Sequence, residues 1–137
     1  MEHRTIYITE NDLKNLREAI RQARQGEYRN SPYIQYLEGE LERAVIVPAR
    51  EIPADVITMN SRVLMTDLSD GEQMELRLGY PEDTRRGPDC VSVLAPIGTA
   101  MIGYRVGDVF EWDTPAGKTR LRVEKVVYQP EADGVFD

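Results

Sequence analysis

The chain is poor in the residues that usually carry chemistry. Its 137 residues include one cysteine, one histidine and one tryptophan. Cys90 alone cannot close an internal disulfide, and with only His3 to join it no zinc site can be completed. His3 stands at the extreme N-terminus, so no imidazole is placed to act as a general base. Glycine-rich phosphate and dinucleotide loops, H-E-x-x-H and G-x-S-x-G are all missing. Cys90, between Asp89 and Val91, reads as a small apolar residue at a strand start. The acidic pairs Glu82-Asp83 and Glu111/Asp113 read as solvated faces. No catalytic residue, metal site or cofactor is therefore expected. Apolar runs are only a few residues long, which excludes a membrane span, and Met1-Glu2-His3-Arg4 does not open a signal peptide. Positive charge is also short. With 17 Lys+Arg against 24 Asp+Glu the net charge is −7, too acidic for direct specific DNA binding. A cytoplasmic protein whose partner is another protein is expected.

What is present divides into two halves with different periods. At 41% hydrophobic and 30% charged residues the chain is that of a folded protein. Thr9 is placed to cap a helix, with Asp12 in the position of a capping-box acid. Leu13, Leu16, Ile20 and Ala23 then recur at spacings of three and four. Gly26 interrupts, Ser31-Pro32 opens a second helix, and Ile34, Leu37, Leu41 and Ala44 form a second seam stopped by Pro48. Two equal seams joined by a polar turn predict a short antiparallel helical hairpin, a coiled coil with arms of about 20 Å. Lys14, Arg17, Arg21 and Arg24 flank the first seam, and Glu38, Glu40 and Glu42 lie on the second. Ion pairs between the arms, or a guide toward an acidic or nucleic-acid-lined cavity, both fit that pattern.

Beyond Pro53 the period becomes two. Asp55–Met59, Arg62–Met65, Met74–Leu78, Val91–Leu94, Val109–Trp112 and Lys118–Tyr128 read as strands. Pro96–Gly103 suits a short helix with proline at its start and glycine at its end. The last strand changes parity between Val123 and Val126, which predicts a β-bulge near Glu124-Lys125. The expected fold class is α+β: a helical hairpin over residues 1–48, kept apart from a mainly antiparallel C-terminal sheet domain over residues 49–137.

Several motifs in the second half resemble a known family. Ala95-Pro96-Ile97-Gly98-Thr99-Ala100-Met101-Ile102-Gly103, then Val106-Gly107-Asp108, Thr114-Pro115-Ala116-Gly117 and Val126-Val127-Tyr128, resemble the C-terminal domain of the GreA/GreB transcript-cleavage factors. Asp55–Val63, Leu68-Ser69-Asp70-Gly71-Glu72, Tyr80-Pro81 and Tyr128-Gln129-Pro130-Glu131 resemble a regulatory branch of the same group. The resemblance implies an FKBP-like C-terminal fold and binding to core RNA polymerase at the rim of its secondary channel. It also implies docking through Pro96, Ile97, Gly98, Met101, Ile102 and Gly103. Ala95 departs from the family's serine and removes a side-chain cap. Within a helix Gly98 and Gly103 each cost about 0.5–1 kcal/mol against alanine. Close approach to a partner and tight helix-to-sheet packing both account for them, and Met101 and Ile102 favour core over contact. On the docking expectation Pro96→Asn or Gly98→Glu should weaken binding with little loss of thermal stability; a large fall in melting temperature would indicate packing instead.

Three functions compete: a polymerase-binding regulator that is not an enzyme, a transcript-cleavage factor, and a peptidyl-prolyl isomerase suggested by the fold alone. Cleavage factors carry an acidic pair at the hairpin tip. Here the tip Gln25-Gly26-Glu27-Tyr28-Arg29 holds one acid between arginines Arg24 and Arg29, a poor ligand set for magnesium. The arms are also much shorter than the family's. An isomerase needs an aromatic pocket, and Phe110 and Trp112, which share one strand face, are expected to be taken by the core. The regulator is the expected function.

Overall fold

The computed structural model describes residues 5–26 and 29–135; His3, Glu27 and Tyr28 lie outside them. The chain opens with strand β1 (Tyr7–Thr9) and helix α1 (Glu10–Arg24). The Thr9 hydroxyl accepts the Asp12 N–H at 3.0 Å, as the capping pattern requires. Helix α2 (Pro32–Arg43) starts at Ser31, whose hydroxyl accepts the Tyr33 N–H, with Pro32 in the first turn. The helix stops earlier than its apolar seam suggests. Val45-Ile46-Val47, a β-branched run ahead of Pro48, forms strand β2 (Val45–Val47) and pairs in parallel with β1, Tyr7 opposite Val45.

The second half builds a five-stranded sheet from β3 (Arg62–Asp67), β4 (Gln73–Gly79), β5 (Cys90–Ser92), β6 (Val109–Thr114) and β7 (Gly117–Tyr128). The spatial order is β5-β4-β3-β7-β6, with β4–β5 parallel and the other pairs antiparallel. Helix α3 (Pro96–Met101) follows β5. The register of β3 against β7 skips Glu124, with Met65 opposite Val123 and Leu64 opposite Lys125, where the parity change predicts a bulge. It skips again at Val127, between Val126 and Tyr128.

Residues 55–59 are not a strand, despite their composition. Val56 makes one isolated bridge to Arg105, and a turn follows in which the Ser61 hydroxyl accepts the Thr58 N–H at 2.9 Å and Asn60 adopts φ 69°. Val56, Ile57 and Met59 are buried because the chain crosses the core there, not because a ladder holds it. Glu82 lies in a short 3₁₀ stretch, Pro81–Arg86.

The apolar seams of α1 and α2 do not close on each other alone. Leu16, Ile20, Ala23, Ile34, Leu37 and Leu41 belong to one buried cluster with Ile57, Met59, Val63, Met65, Leu78, Met101 and Leu121. Backbone bonds join the halves too: the Tyr7 N–H donates to the Gly103 carbonyl, and Gly103 and Tyr104 exchange bonds with Ile57. Among the described residues no helix is long and apolar enough to cross a membrane.

Candidate docking surface

Helix α3 begins with Pro96 in its first turn, and Ala95 supplies no side-chain cap. Of the six docking candidates, Pro96 alone is partly exposed; Ile97, Gly98, Met101, Ile102 and Gly103 are buried. The geometry explains both glycines by packing. A Cβ on Gly98 would lie 2.0 Å from the Ser92 carbonyl oxygen and 2.9 Å from Val93 Cα, so α3 presses on the backbone leaving β5. Gly103 adopts φ +82°, and a Cβ there would meet Ile6 at 2.7 Å. These five residues therefore set the position of the corner that displays Pro96. Thr99 assists, its hydroxyl donating to the Val93 carbonyl at 2.6 Å.

Pro96 sits on a groove of about 430 Å³ between α2, α3 and the β6–β7 hairpin, with Tyr33, Tyr36, Tyr104, Phe110 and Trp112 among its walls. Tyr104 stacks on Phe110 at 5.8 Å. The shared strand face of Phe110 and Trp112 is thus real but only half claimed by the core: Phe110 is buried and Trp112 partly open. No motif marks the three tyrosines in the sequence. Tyr33 and Tyr36 are spaced by three in α2 and lie off the Ile34–Leu37–Leu41 seam, the one signal that marks them. The Tyr36 hydroxyl donates to Glu40, and burial together with that carboxylate pushes its pKa upward.

The charged flanks pair mostly within their own helices. Arg24 reaches across to Glu38, whereas Arg21 binds Glu18 at 2.5 Å in α1 and the buried Glu40 binds Arg43 in α2. At the tip, Gln25, Gly26 and Arg29 are exposed. Among the described residues no group of three or more His, Cys, Asp or Glu could hold a metal ion. Cys90 is buried, and desolvation raises its pKa, which leaves it a poor nucleophile.

Asp12 is not the capping-box acid the spacing implies. Its carboxylate stays beside the Thr9 side chain and accepts the Met59 N–H at 3.0 Å. Burial pushes its pKa up to about 7, opposed by that bond and reinforced by the charge of Glu131. It is the polar pin between α1 and the β half.

A family model described as "Transcription elongation factor, GreA/GreB, C-term" matches residues 52–128, and a second, "Rnk N-terminus", matches residues 4–47. The chain belongs to the GreA/GreB family of transcription elongation factors. Its resemblance to the Rnk branch runs the whole length: it is 40% identical to the "Regulator of nucleoside diphosphate kinase" of Escherichia coli K12, over 99% of this chain and 98% of that one. It is 37% identical to the "Transcription inhibitor protein Gfh1" of Thermus aquaticus over 74% of this chain and 64% of that protein. A solved structure, "Prokaryotic transcription elongation factor GreA/GreB from Nitrosomonas europaea", superposes with TM-score 0.76 at 35% identity, covering 92% of this chain and all of the other. That likeness supports the mixed α+β architecture, with helices first and a curled sheet after them.

Proposed function

We propose that this protein is a regulator that binds core RNA polymerase at the rim of the secondary channel and competes there with Gre-type factors without stimulating transcript cleavage. The supporting observation is the length of its helices. Helix α1 has 15 residues and α2 has 12, so an arm rises about 22 Å at most. Between them the sequence offers a single acid, Glu27. A metal-assisted hydrolysis needs several oxygen ligands delivered to the reacting phosphate, and one carboxylate on a short arm does not supply them. The names of two relatives, a regulator and a transcription inhibitor, favour the same direction.

In this reading residues 49–137 form an FKBP-like docking half, and α1 and α2 within residues 1–48 form a short antiparallel hairpin packed against it. Pro96 makes the contact, and Ile97, Gly98, Met101, Ile102 and Gly103 act from beneath by holding its corner rigid. The protein works in the cytoplasm, where the polymerase is, and is not itself an enzyme. The test is a pull-down with purified core polymerase, repeated with excess GreA, alongside cleavage of backtracked complexes. Displacement by GreA with no added cleavage is the expected result. Cleavage by the unaltered protein would overturn the reading.

A further inference from the structure

Two motifs that take no part in the docking corner, Asp55–Val63 and Tyr128–Glu131, are brought together beside the start of α1. The buried Gln129 anchors the end of β7, its amide nitrogen donating to the Pro53 and Val56 carbonyls at 2.8 Å each. The chain then closes a tight turn on itself. Asp133 donates its N–H to the Gln129 and Pro130 carbonyls, Gly134 to the Glu131 carbonyl and Val135 to the Pro130 carbonyl. The Thr58 hydroxyl ties this turn to the body of the protein by donating to the Glu131 carboxylate at 2.7 Å. With its single proton so placed, Thr58 accepts from the Ser61 hydroxyl at 2.9 Å, and Ser61 in turn accepts the Thr58 N–H. The hydroxyl protons thus run toward Glu131.

The next residue, Met59, gives its N–H to the other acid, Asp12. Adjacent residues of one turn therefore hold one carboxylate each, and the two act on each other as like charges. No cation stands among the groups that face Asp12. Its own helix contributes the Thr9 hydroxyl, the 58–61 turn the Met59 N–H, and the end of β4 contributes Tyr80, which itself faces Glu82 and Asp83. We infer that the Asp12–Glu131 pair is a proton-operated latch on the C-terminal turn: a proton on Asp12 lets Glu131 stay on Thr58, and loss of that proton drives Glu131 into solvent and frees residues 131–135. Glu131 is the partner that leaves, because it is already partly exposed whereas Asp12 is buried in the first turn of α1. Ionised Asp12 is also held harder by the Met59 N–H and the helix start. Burial first, and then Glu131, raise the point at which Asp12 ionises to about 7. The latch is accordingly closed below neutral pH and open above it.

This device is separate from polymerase docking, and its test contains no polymerase, so the two readings fail separately. The ¹⁵N-labelled full chain is compared at about pH 5.5 and about pH 8.5, on either side of the Asp12 midpoint. Heteronuclear NOE values at Asp133, Gly134 and Val135 should be those of ordered backbone at the lower pH and fall at the higher. Asp12→Asn should keep the turn ordered at both, and Glu131→Gln should do the same while the Asp12 carboxyl carbon titrates at lower pH than in the parent. Thr58→Val, which removes the tether, should leave the turn loose at both pH values. A purely structural role for Asp12 would not make the mobility of residues 131–135 follow its ionisation. Equal order at the two pH values in the parent would overturn the proposal. So would an unchanged pH response in Asp12→Asn, or an Asp12 midpoint that Glu131→Gln does not move.

Discussion

At the scale of single residues, Asp12 and Gly98 show how position overrides type. Asp12 has a folded-state pKa of about 7 against an ordinary 3.8, so the folded protein binds its proton more tightly than the unfolded chain does. Its contribution to stability is fully present below about pH 4 and is lost as pH rises through about 7. Asp12→Asn keeps an oxygen for the Met59 N–H and removes the buried charge, next to which Tyr80 and Glu131 also stand. The variant should be more stable than the parent at pH 8 by an amount on the order of 2 kcal/mol, with the gap closing toward pH 5. Thermal melts across that range check it, and a gap independent of pH would show that the carboxylate stays solvated. Gly98→Ala places a methyl where 2.0 Å separates it from the Ser92 oxygen. A fall in melting temperature of about 5–15 °C is expected. The glycine is thus a packing residue, and polymerase binding by a Gly98 variant reports on folding before it reports on contact. Pro96→Asn is the cleaner probe because its side chain is partly exposed.

At the scale of elements, α1 and α2 are tied to the sheet more closely than their hairpin pattern suggests. Removing residues 1–48 would strip Ile6, Ile8, Leu16, Ile20, Ile34 and Leu37 from the shared cluster and expose Ile57, Met59 and Ile102. The isolated 49–137 fragment is expected to melt well below the full chain or to lack a cooperative transition, which circular dichroism would show. A two-state melt at the parental temperature would mean that the helices pack on an already complete core. The turn between the helices provides another test. Gly26 and Arg29 are exposed, so Gly26→Asp with Arg29→Glu adds acids at the tip with little structural cost. Since the change adds charge but no length, the proposed limit of reach predicts no transcript cleavage from the variant. Activity in that assay would show that charge was the missing element and that reach was sufficient.

At the scale of the whole molecule, a net charge of −7 coexists with a basic flank on α1, where Lys14, Arg17, Arg21 and Arg24 are exposed. A protein this acidic gains no general attraction to nucleic acid, so on the proposed function association with a polymerase would depend on the local fit of the α3 corner. Inhibition of GreA-stimulated cleavage should therefore follow simple competition, rising with concentration relative to the dissociation constant. Inhibition that persists at saturating GreA would point to a second, non-overlapping site.

Much of the architecture was legible in residue order because it rests on local chemistry. Thr9 and Ser31 cap helices wherever an apolar period follows, Pro96 opens a helix turn, and the parity change at Glu124 requires a bulge whatever surrounds it. The stretch Ala95–Gly103, whose Gly98 and Gly103 are both held by close packing, also lies within the residues the family model matches. Tertiary structure decided the rest. The parallel pairing of Val45–Val47 with Tyr7–Thr9 joins strands separated by two helices, a contact no local period encodes. The turn of Asp12 toward Met59, 47 residues away, depends on where α1 lands on the sheet. The groove of Tyr33, Tyr36, Tyr104 and Trp112 draws on three distant stretches of chain, so its members look like scattered aromatics until folding sets them side by side. Periodicity records which face of an element is buried; only packing determines what that face is buried against.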